Sequence, residues 1–309
     1  MLVDQNARAL IVIAPDGRVA RTMSAPKPTD LPQLSLAANA ATDPGGRLVY
    51  RVNLRRPSSA LAQRMDSGQY VKTVMHDSAA IVRADFNSRT VDTVGVEAMP
   101  VRVSLRYSAG SGGGAGRPSV NPLPQTDEWA MLADGTIAIV RGQDYHIDWI
   151  HPDGTHTSSP KMQFAWRRVT LEEKQRMLDS ARRADSASEA AAQRFTAQQA
   201  ARGAGRGGGL PGLLPYSTVD PPDMPDYYPP IRAGTVFADP DGNLWILPTT
   251  SAIVSDALVY DVVDRSGAVV ERVLLPPKRK LLAVGHAGVL YLANYSGDYF
   301  KIERARVLK

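Results

Sequence analysis

The sequence contains no cysteine, so neither a disulfide framework nor a thiolate metal site is available to the fold. Aromatic residues make up only 6% of the chain, and there are five histidines. No stretch approaches the roughly 18 apolar residues that a membrane helix requires. The start of the chain, Met1 to Arg8, does not have the pattern of a signal peptide. These absences exclude a small disulfide scaffold, a cysteine zinc domain and a membrane-spanning helix.

Glycine and proline, by contrast, punctuate the chain at short intervals, with 25 and 23 residues. A search for internal repeats finds a recurring unit of a short apolar strand, a turn that resembles Asp-Gly, and a second apolar strand. Eight such turns occur, at 15–18, 43–46, 86–89, 133–136, 152–155, 240–243, 265–268 and 286–289. Glycine or Asn supplies the positive φ that hairpin turns need, so the repeat predicts about eight hairpins.

The turns alternate between two settings, which favours four-stranded blades. Some follow compact apolar strands such as 129–132, and others follow alternating strands such as 145–150. Strands buried on both faces give the first pattern, and strands nearer the rim give the second. The chain is therefore predicted to be an all-β propeller of four-stranded antiparallel blades, in one domain over 1–309, with one inserted α-helix. Blades are expected at 34–100, 128–160 and 234–276, after a half blade at 9–23 and before final strands at 281–307.

One blade carries a resemblance to a known family. The stretch from Phe237 to Ile246, with its Asp-Gly-Asn-Leu-Trp pattern, and the stretch from Leu258 to Val273 resemble a blade of the bacterial six-bladed β-propeller proteins of the NHL-repeat-like and TolB-like type. Residues 129–155 resemble the preceding blade. The resemblance implies a periplasmic or extracellular protein in its full-length form. It does not imply a function, because one fold serves many functions.

The blade count falls short of six. A six-bladed ring needs about 250 residues of blade sequence at about 40 to 45 residues per blade, and the loops use much of this chain. We therefore expect a chain that lacks upstream sequence and forms an open or irregularly closed arc. Residues 54–72 are expected to form an extra loop within the first blade.

Two segments do not resemble blade sequence. Residues 107–121 are rich in glycine and predict a flexible loop. Residues 169–233 predict a helix followed by a proline-rich strap. The helix, expected over Thr170–Arg202, begins with Thr170-Leu171-Glu172-Glu173, the spacing of a capping box. Its thin apolar stripe of Leu171, Leu178, Ala181 and Phe195 predicts a surface insertion outside the blade stack.

The net charge of +5 does not indicate a nucleic-acid site. Residues 161–206 hold ten basic and five acidic residues, which accounts for the whole excess. This stretch lacks the interleaved aromatic residues typical of nucleic-acid binding. We expect no nucleic-acid partner and no membrane span.

No catalytic constellation emerges, and no cofactor is expected. His146, Asp148, His151 and His156 lie close in sequence, but the last two histidines flank a hairpin, so structural roles are favoured over a zinc site. A gluconolactonase-like propeller holds a metal in its tunnel, and the predicted inner strands offer only Asn39 and Glu128 as oxygen ligands. The sequence favours a non-catalytic binding or scaffold propeller for an unknown protein, peptide or carbohydrate ligand. A metal-dependent hydrolase or lactonase is the alternative.

Overall fold

The computed structural model describes residues 2–4, 9–14, 16–27, 30, 40–54, 61–64, 70–75, 78–107, 117–201, 217–251, 258–296 and 299–308. These residues form 23 strands and one α-helix, α1 (Leu171–Ala201). The strands are β1 (Leu2–Asp4), β2 (Ala9–Ile13), β3 (Val19–Met23), β4 (Ala41–Thr42), β5 (Leu48–Leu54), β6 (Leu61–Arg64), β7 (Tyr70–Met75), β8 (Ser78–Asp85), β9 (Thr90–Ala98), β10 (Arg102–Tyr107), β11 (Arg117–Val120), β12 (Glu128–Met131), β13 (Ile137–Val140), β14 (Ile147–Ile150), β15 (His156–Ser158), β16 (Ser217–Thr218), β17 (Val236–Ala238), β18 (Leu244–Ile246), β19 (Val259–Val263), β20 (Val269–Leu274), β21 (Arg279–Val284), β22 (Val289–Ser296) and β23 (Tyr299–Arg306).

The sheets have a propeller arrangement in which four blades are recognised. Blade one has the strand order β4-β5-β8-β9, blade two β12-β13-β14-β15 and blade three β17-β18-β19-β20, and every pairing is antiparallel. Blade four contains three strands, β21-β22-β23. A further sheet of three strands, β1-β2-β3, precedes blade one. The predicted fold class, an all-β propeller of four-stranded antiparallel blades with one helix, is confirmed.

The hairpin turns fall where the repeat predicts them. Each of the eight predicted turns contains a residue with positive φ, which is glycine in seven turns and Arg89 in the eighth. In blade two, Gly135 has φ 86° and donates its N–H to Leu132 O at 2.9 Å, while Asp134 Oδ1 accepts the Thr136 N–H at 2.9 Å. An Asp before a glycine thus closes the turn through its own side chain.

Apolar clusters join the blades face to face. Leu10 and Ala25 pack with Leu48 and Tyr50, which places the sheet β1-β2-β3 against blade one. Three further clusters join blade one to two, two to three and three to four. Strand β17 lies beside β12 and β21, as expected for inner strands around a common axis. At Gly95 a Cβ would approach Ile150 Cδ1 to 2.7 Å, so a side chain there would require the isoleucine side chains packed between blades one and two to move.

One sheet was missed by the sequence analysis. Strands β16-β11-β10-β7-β6, which we call the outer sheet, form a five-stranded sheet with a parallel pairing between β11 and β16. The prediction of an extra loop over residues 54–72 is wrong for the described part, because β6 and the start of β7 lie there. Residues 108–116 of the predicted glycine-rich loop lie outside the described residues, and residues 117–120 form β11.

The predicted helix is confirmed as α1, and its capping box forms. Glu173 donates its N–H to Thr170 Oγ1 at 3.2 Å, and Glu173 Oε2 accepts the Thr170 N–H at 2.9 Å. Leu178 is fully buried in a cluster with Val103 of the outer sheet and Tyr228 of the proline-rich strap. The helix therefore packs on the outer sheet and the strap, while the side chain of Phe195 lies outside the described residues. No described helix is both long and apolar enough to span a membrane.

Candidate functional site

A polar cleft of about 700 Å³ opens where blade one meets blade two. We call it the interblade cleft. Its lining residues are Ala98, Met99, Val101, Gln125, Thr126, Asp127, Arg141, Gln143, Asp144, His146 and Asp148. They come from the end of β9 and the residues that follow it, from the segment that returns to β12, and from the turn between β13 and β14 with the start of β14. A cleft with converging polar groups is the usual form of a binding site.

The cleft exists because the chain leaves and re-enters the blade stack at one point. Asp127 donates its N–H to Ala98 O at 3.0 Å, and Asp127 Oδ2 accepts the Ala98 N–H at 2.9 Å. These bonds close the excursion over residues 99–126, which contributes β10 and β11 to the outer sheet. Asp127 Oδ1 also accepts the Gly142 N–H at 2.9 Å, which ties the excursion to blade two.

Gly142 allows the two segments to approach each other. A Cβ at this position would lie 2.1 Å from the backbone oxygen of Thr126. Backbone atoms cannot move away as the end of a flexible side chain can, so only glycine fits without a shift of the main chain. The wall of the cleft therefore depends on this one residue.

Arg141 joins two carboxylates across the floor of the cleft. Its Nη1 donates to Asp127 Oδ2 at 2.7 Å and to Val96 O at 2.9 Å, and its Nε donates to Asp148 Oδ2 at 2.7 Å. Burial alone would raise the pKa of Asp148, but the hydrogen bonds from Ser158 and Arg141 outweigh burial and lower the pKa. Asp148 is thus held as an anion by fixed donors, and Asp127 is held in place by hydrogen bonds from Ala98, Gly142 and Arg141.

The rim of the cleft is more exposed. Asp144 Oδ1 accepts a hydrogen bond from Lys161 Nζ at 2.8 Å, and this bond lowers the pKa of Asp144. Both side chains are more than half exposed, so solvent screens the pair and a ligand can compete for it. His146 Nε2 lies 3.3 Å from Asp148 Oδ1. The rim therefore offers hydrogen-bonding groups that contribute little to the stability of the fold.

Beneath this region lies a buried pair of glutamates. Glu128, the predicted tunnel residue, is 5% exposed and its Oε1 accepts the Gly234 N–H at 2.8 Å. Glu97 is fully buried, and its Oε1 accepts a hydrogen bond from Arg51 Nη1 at 3.2 Å. Burial, reinforced by the charge of Glu128, raises the pKa of Glu97 to about 8 against the attraction of Arg51. Burial also raises the pKa of Glu128.

This glutamate pair falls short of the ligand set that the tunnel-metal alternative requires. Calcium takes six to eight oxygen ligands, and the described residues contain no group of three or more His, Asp or Glu side chains placed to hold a metal ion. Asn39, the second predicted ligand, lies outside the described residues. The assignment of Asn39 and Glu128 to a metal site stays a prediction.

Comparison of the chain with protein-family models and with curated proteins gives no match. A propeller fold supports a binding or scaffold role in general.

Part of the cleft comes from the segment whose sequence raised the question of a zinc site. That segment holds His146, Asp148, His151 and His156, and the structure brings the first two into contact. His151 instead contacts Thr157 Oγ1 at 3.1 Å across its hairpin, and His156 is exposed. The remaining cleft residues were missed, because the cleft forms only where residues 98–101 at the end of blade one lie beside blade two, and this packing has no local sequence signal.

Proposed function

We propose that this chain is a non-catalytic binding propeller whose ligand site is the interblade cleft. The observation that carries the proposal is the cleft itself, which is large enough for a peptide segment or a small glycan and is lined by eight polar residues out of eleven. We further propose the six-bladed, NHL-repeat-like or TolB-like type and an extracytoplasmic location for the full-length protein. That part rests on the resemblance of the blade at 237–273, and fractionation of cells that express the full-length protein tests the location.

The state of the carboxylates supports binding over catalysis. A general acid or base must gain and lose a proton readily near neutral pH. Asp127 accepts bonds from Ala98 N, Gly142 N and Arg141, and Asp148 accepts bonds from Arg141 and Ser158. These hydrogen bonds lower the pKa of Asp148, and the donors fixed around both carboxylates suit them to positioning a ligand rather than to proton transfer.

The charge and shape of the cleft favour a basic peptide over a sugar. Three aspartates and one arginine line it, which leaves an excess of negative charge. None of its lining residues in the described part of the chain is Phe, Tyr or Trp, so it lacks the large aromatic ring on which a sugar usually stacks. The amides of Gln125 and Gln143 match the alternating donors and acceptors of a peptide backbone.

Calorimetric titration with short peptides tests the proposal. A lysine-containing peptide is expected to bind, and Asp144→Asn and Gln143→Ala are each expected to weaken it about three- to tenfold, as the loss of an exposed ion pair or hydrogen bond does. Asp241→Asn, which removes an exposed carboxylate from a turn of blade three, is the control and should leave binding unchanged. Equal affinity for all three variants would contradict the assignment of the cleft.

A further inference from the structure

Blade four has three strands among the described residues, whereas blades one to three have four each. Its strand β21 lies beside the inner strand β17, so β21, β22 and β23 occupy the first, second and third positions from the centre. In blades one to three the third strands β8, β14 and β19 each pair with a fourth strand. Among the described residues β23 pairs with β22 alone. The outer edge of β23 therefore faces the position that the fourth strand occupies in blades one to three.

The backbone of this edge is regular and can accept a partner. The pairing of β22 with β23 runs through eight residue pairs, from Val289 with Arg306 to Ser296 with Tyr299, without a shift in register. Val307 donates its N–H to Gly288 O at 2.9 Å, so its amide faces β22. Because alternate residues of an antiparallel ladder face opposite sides, the amides and carbonyls of residues 302, 304 and 306 face away from β22.

The side chains at the same three positions are exposed and mostly cationic. Ile302 is 63% exposed, and Arg304 and Arg306 are also exposed. Their neighbours on the other face behave differently, since Glu303 accepts hydrogen bonds from Arg279 and Asn294, and Ala305 packs on the core of blade four. The described ion pairs include none for Lys301, Arg304 or Arg306.

The outer strand of blade three offers a contrast within the same chain. In β20, Arg272 Nε donates to Asp261 Oδ1 at 3.0 Å, and Glu271 adds a further negative charge to that strand. The charge on β20 is thus balanced within the blade. On the exposed face of β23 it is not, so this edge repels other cationic strands and attracts acidic ones.

We propose that the edge of β23 binds an extended acidic segment of a partner protein, which adds to blade four as its fourth strand. Backbone hydrogen bonds at residues 302, 304 and 306 supply the pairing, and the side chains at these positions set the sequence preference. An antiparallel partner places successive alternate residues opposite Arg306, Arg304 and Ile302. The preferred segment therefore reads acidic, any, acidic, any, apolar. A second copy of β23 is disfavoured because it would bring like charges together.

Fluorescence anisotropy with labelled peptides tests this pairing. The probe carries Glu-Thr-Glu-Thr-Val within a threonine-rich peptide, and its control rearranges the same residues as Glu-Glu-Thr-Val-Thr. The first peptide is expected to bind at least about tenfold more tightly, since only it places both charges on one face of the added strand. Equal affinities would overturn the proposal and leave only general charge attraction.

Charge reversal supplies the second arm. The double variant Arg304→Glu with Arg306→Glu is expected to bind the acidic peptide about tenfold or more weakly than the wild type does. It is expected to bind instead a peptide that carries Lys in place of each Glu. The matched control, Arg176→Glu with Arg183→Glu, changes the net charge equally at exposed positions of α1 and should leave binding unchanged. Equal loss in both double variants would overturn the proposal.

Residue-resolved amide hydrogen exchange supplies the third arm. In the free protein the amides of residues 301, 303 and 305 should be protected and those of 302, 304 and 306 should exchange quickly, and peptide should protect the second set. Protection of that set in the free protein at all concentrations would show that another segment of this chain covers the edge. Protection that grows with protein concentration would show a second copy instead. Either result overturns the proposal.

Discussion

Replacement of Glu97 by Gln should change how the stability of the protein depends on pH. Glu97 is fully buried against Arg51, Glu128 and Asp127, and its pKa in the folded state is about 8. The usual value is 4.5. Between these two pH values the folded state binds more protons than the unfolded state, so the free energy of unfolding falls as pH rises. Each pH unit corresponds to at most about 1.4 kcal/mol, and the whole window to at most about 5 kcal/mol.

Urea unfolding at intervals from pH 4.5 to pH 8.5 measures this effect. The difference in unfolding free energy between wild type and Glu97→Gln should be smallest near pH 4.5 and should shift steadily in favour of the variant up to about pH 8. Titrating groups that do not interact with Glu97 contribute equally to both proteins, so their contributions cancel in the difference. A difference that does not vary with pH would refute the argument and would mean that Arg51 fully offsets the burial of this carboxyl.

Two further substitutions test the local geometry. Gly142→Ala should lower the free energy of unfolding by about 1–3 kcal/mol or more, because its methyl group would meet Thr126 O at 2.1 Å, and calorimetric melting measures the loss. Thr170→Val should cost about 1 kcal/mol through loss of the capping box with Glu173, and exchange of amides in the first turn of α1 should accelerate. An unchanged melting temperature in either variant would contradict the corresponding contact.

The blades could be predicted because their signals are local. An Asp-Gly turn such as Asp134-Gly135 closes through contacts within a few residues, and the flanking strands alternate or stay apolar according to their depth. The start of α1 was predictable for the same reason, since Thr170 and Glu173 form the cap within one turn. In each case the residues that determine the turn or the cap lie within a few positions of one another in the sequence.

The outer sheet and the cleft could not be predicted in this way. Strand β16 pairs with β11 from almost one hundred residues away, through Ser119 and Ser217. With two residues in β16 and four in β11, neither strand is long enough to show a hydrophobic pattern. The cleft also needs a contact between blades, because Arg141 Nη1 donates to Val96 O of blade one, 45 residues away in sequence. Such contacts arise only when segments distant in sequence pack together.

Photo-crosslinking of a bound peptide tests the central claim most directly. A lysine-containing peptide with a photoreactive group, irradiated in complex with the protein and mapped by mass spectrometry, should attach to residues of the interblade cleft such as Met99, Gln143 or His146. The attachment should fall in the Asp144→Asn variant. Attachment confined to other blades, or equal labelling of the variant, would contradict the account of this chain as a propeller that binds its ligand between blades one and two.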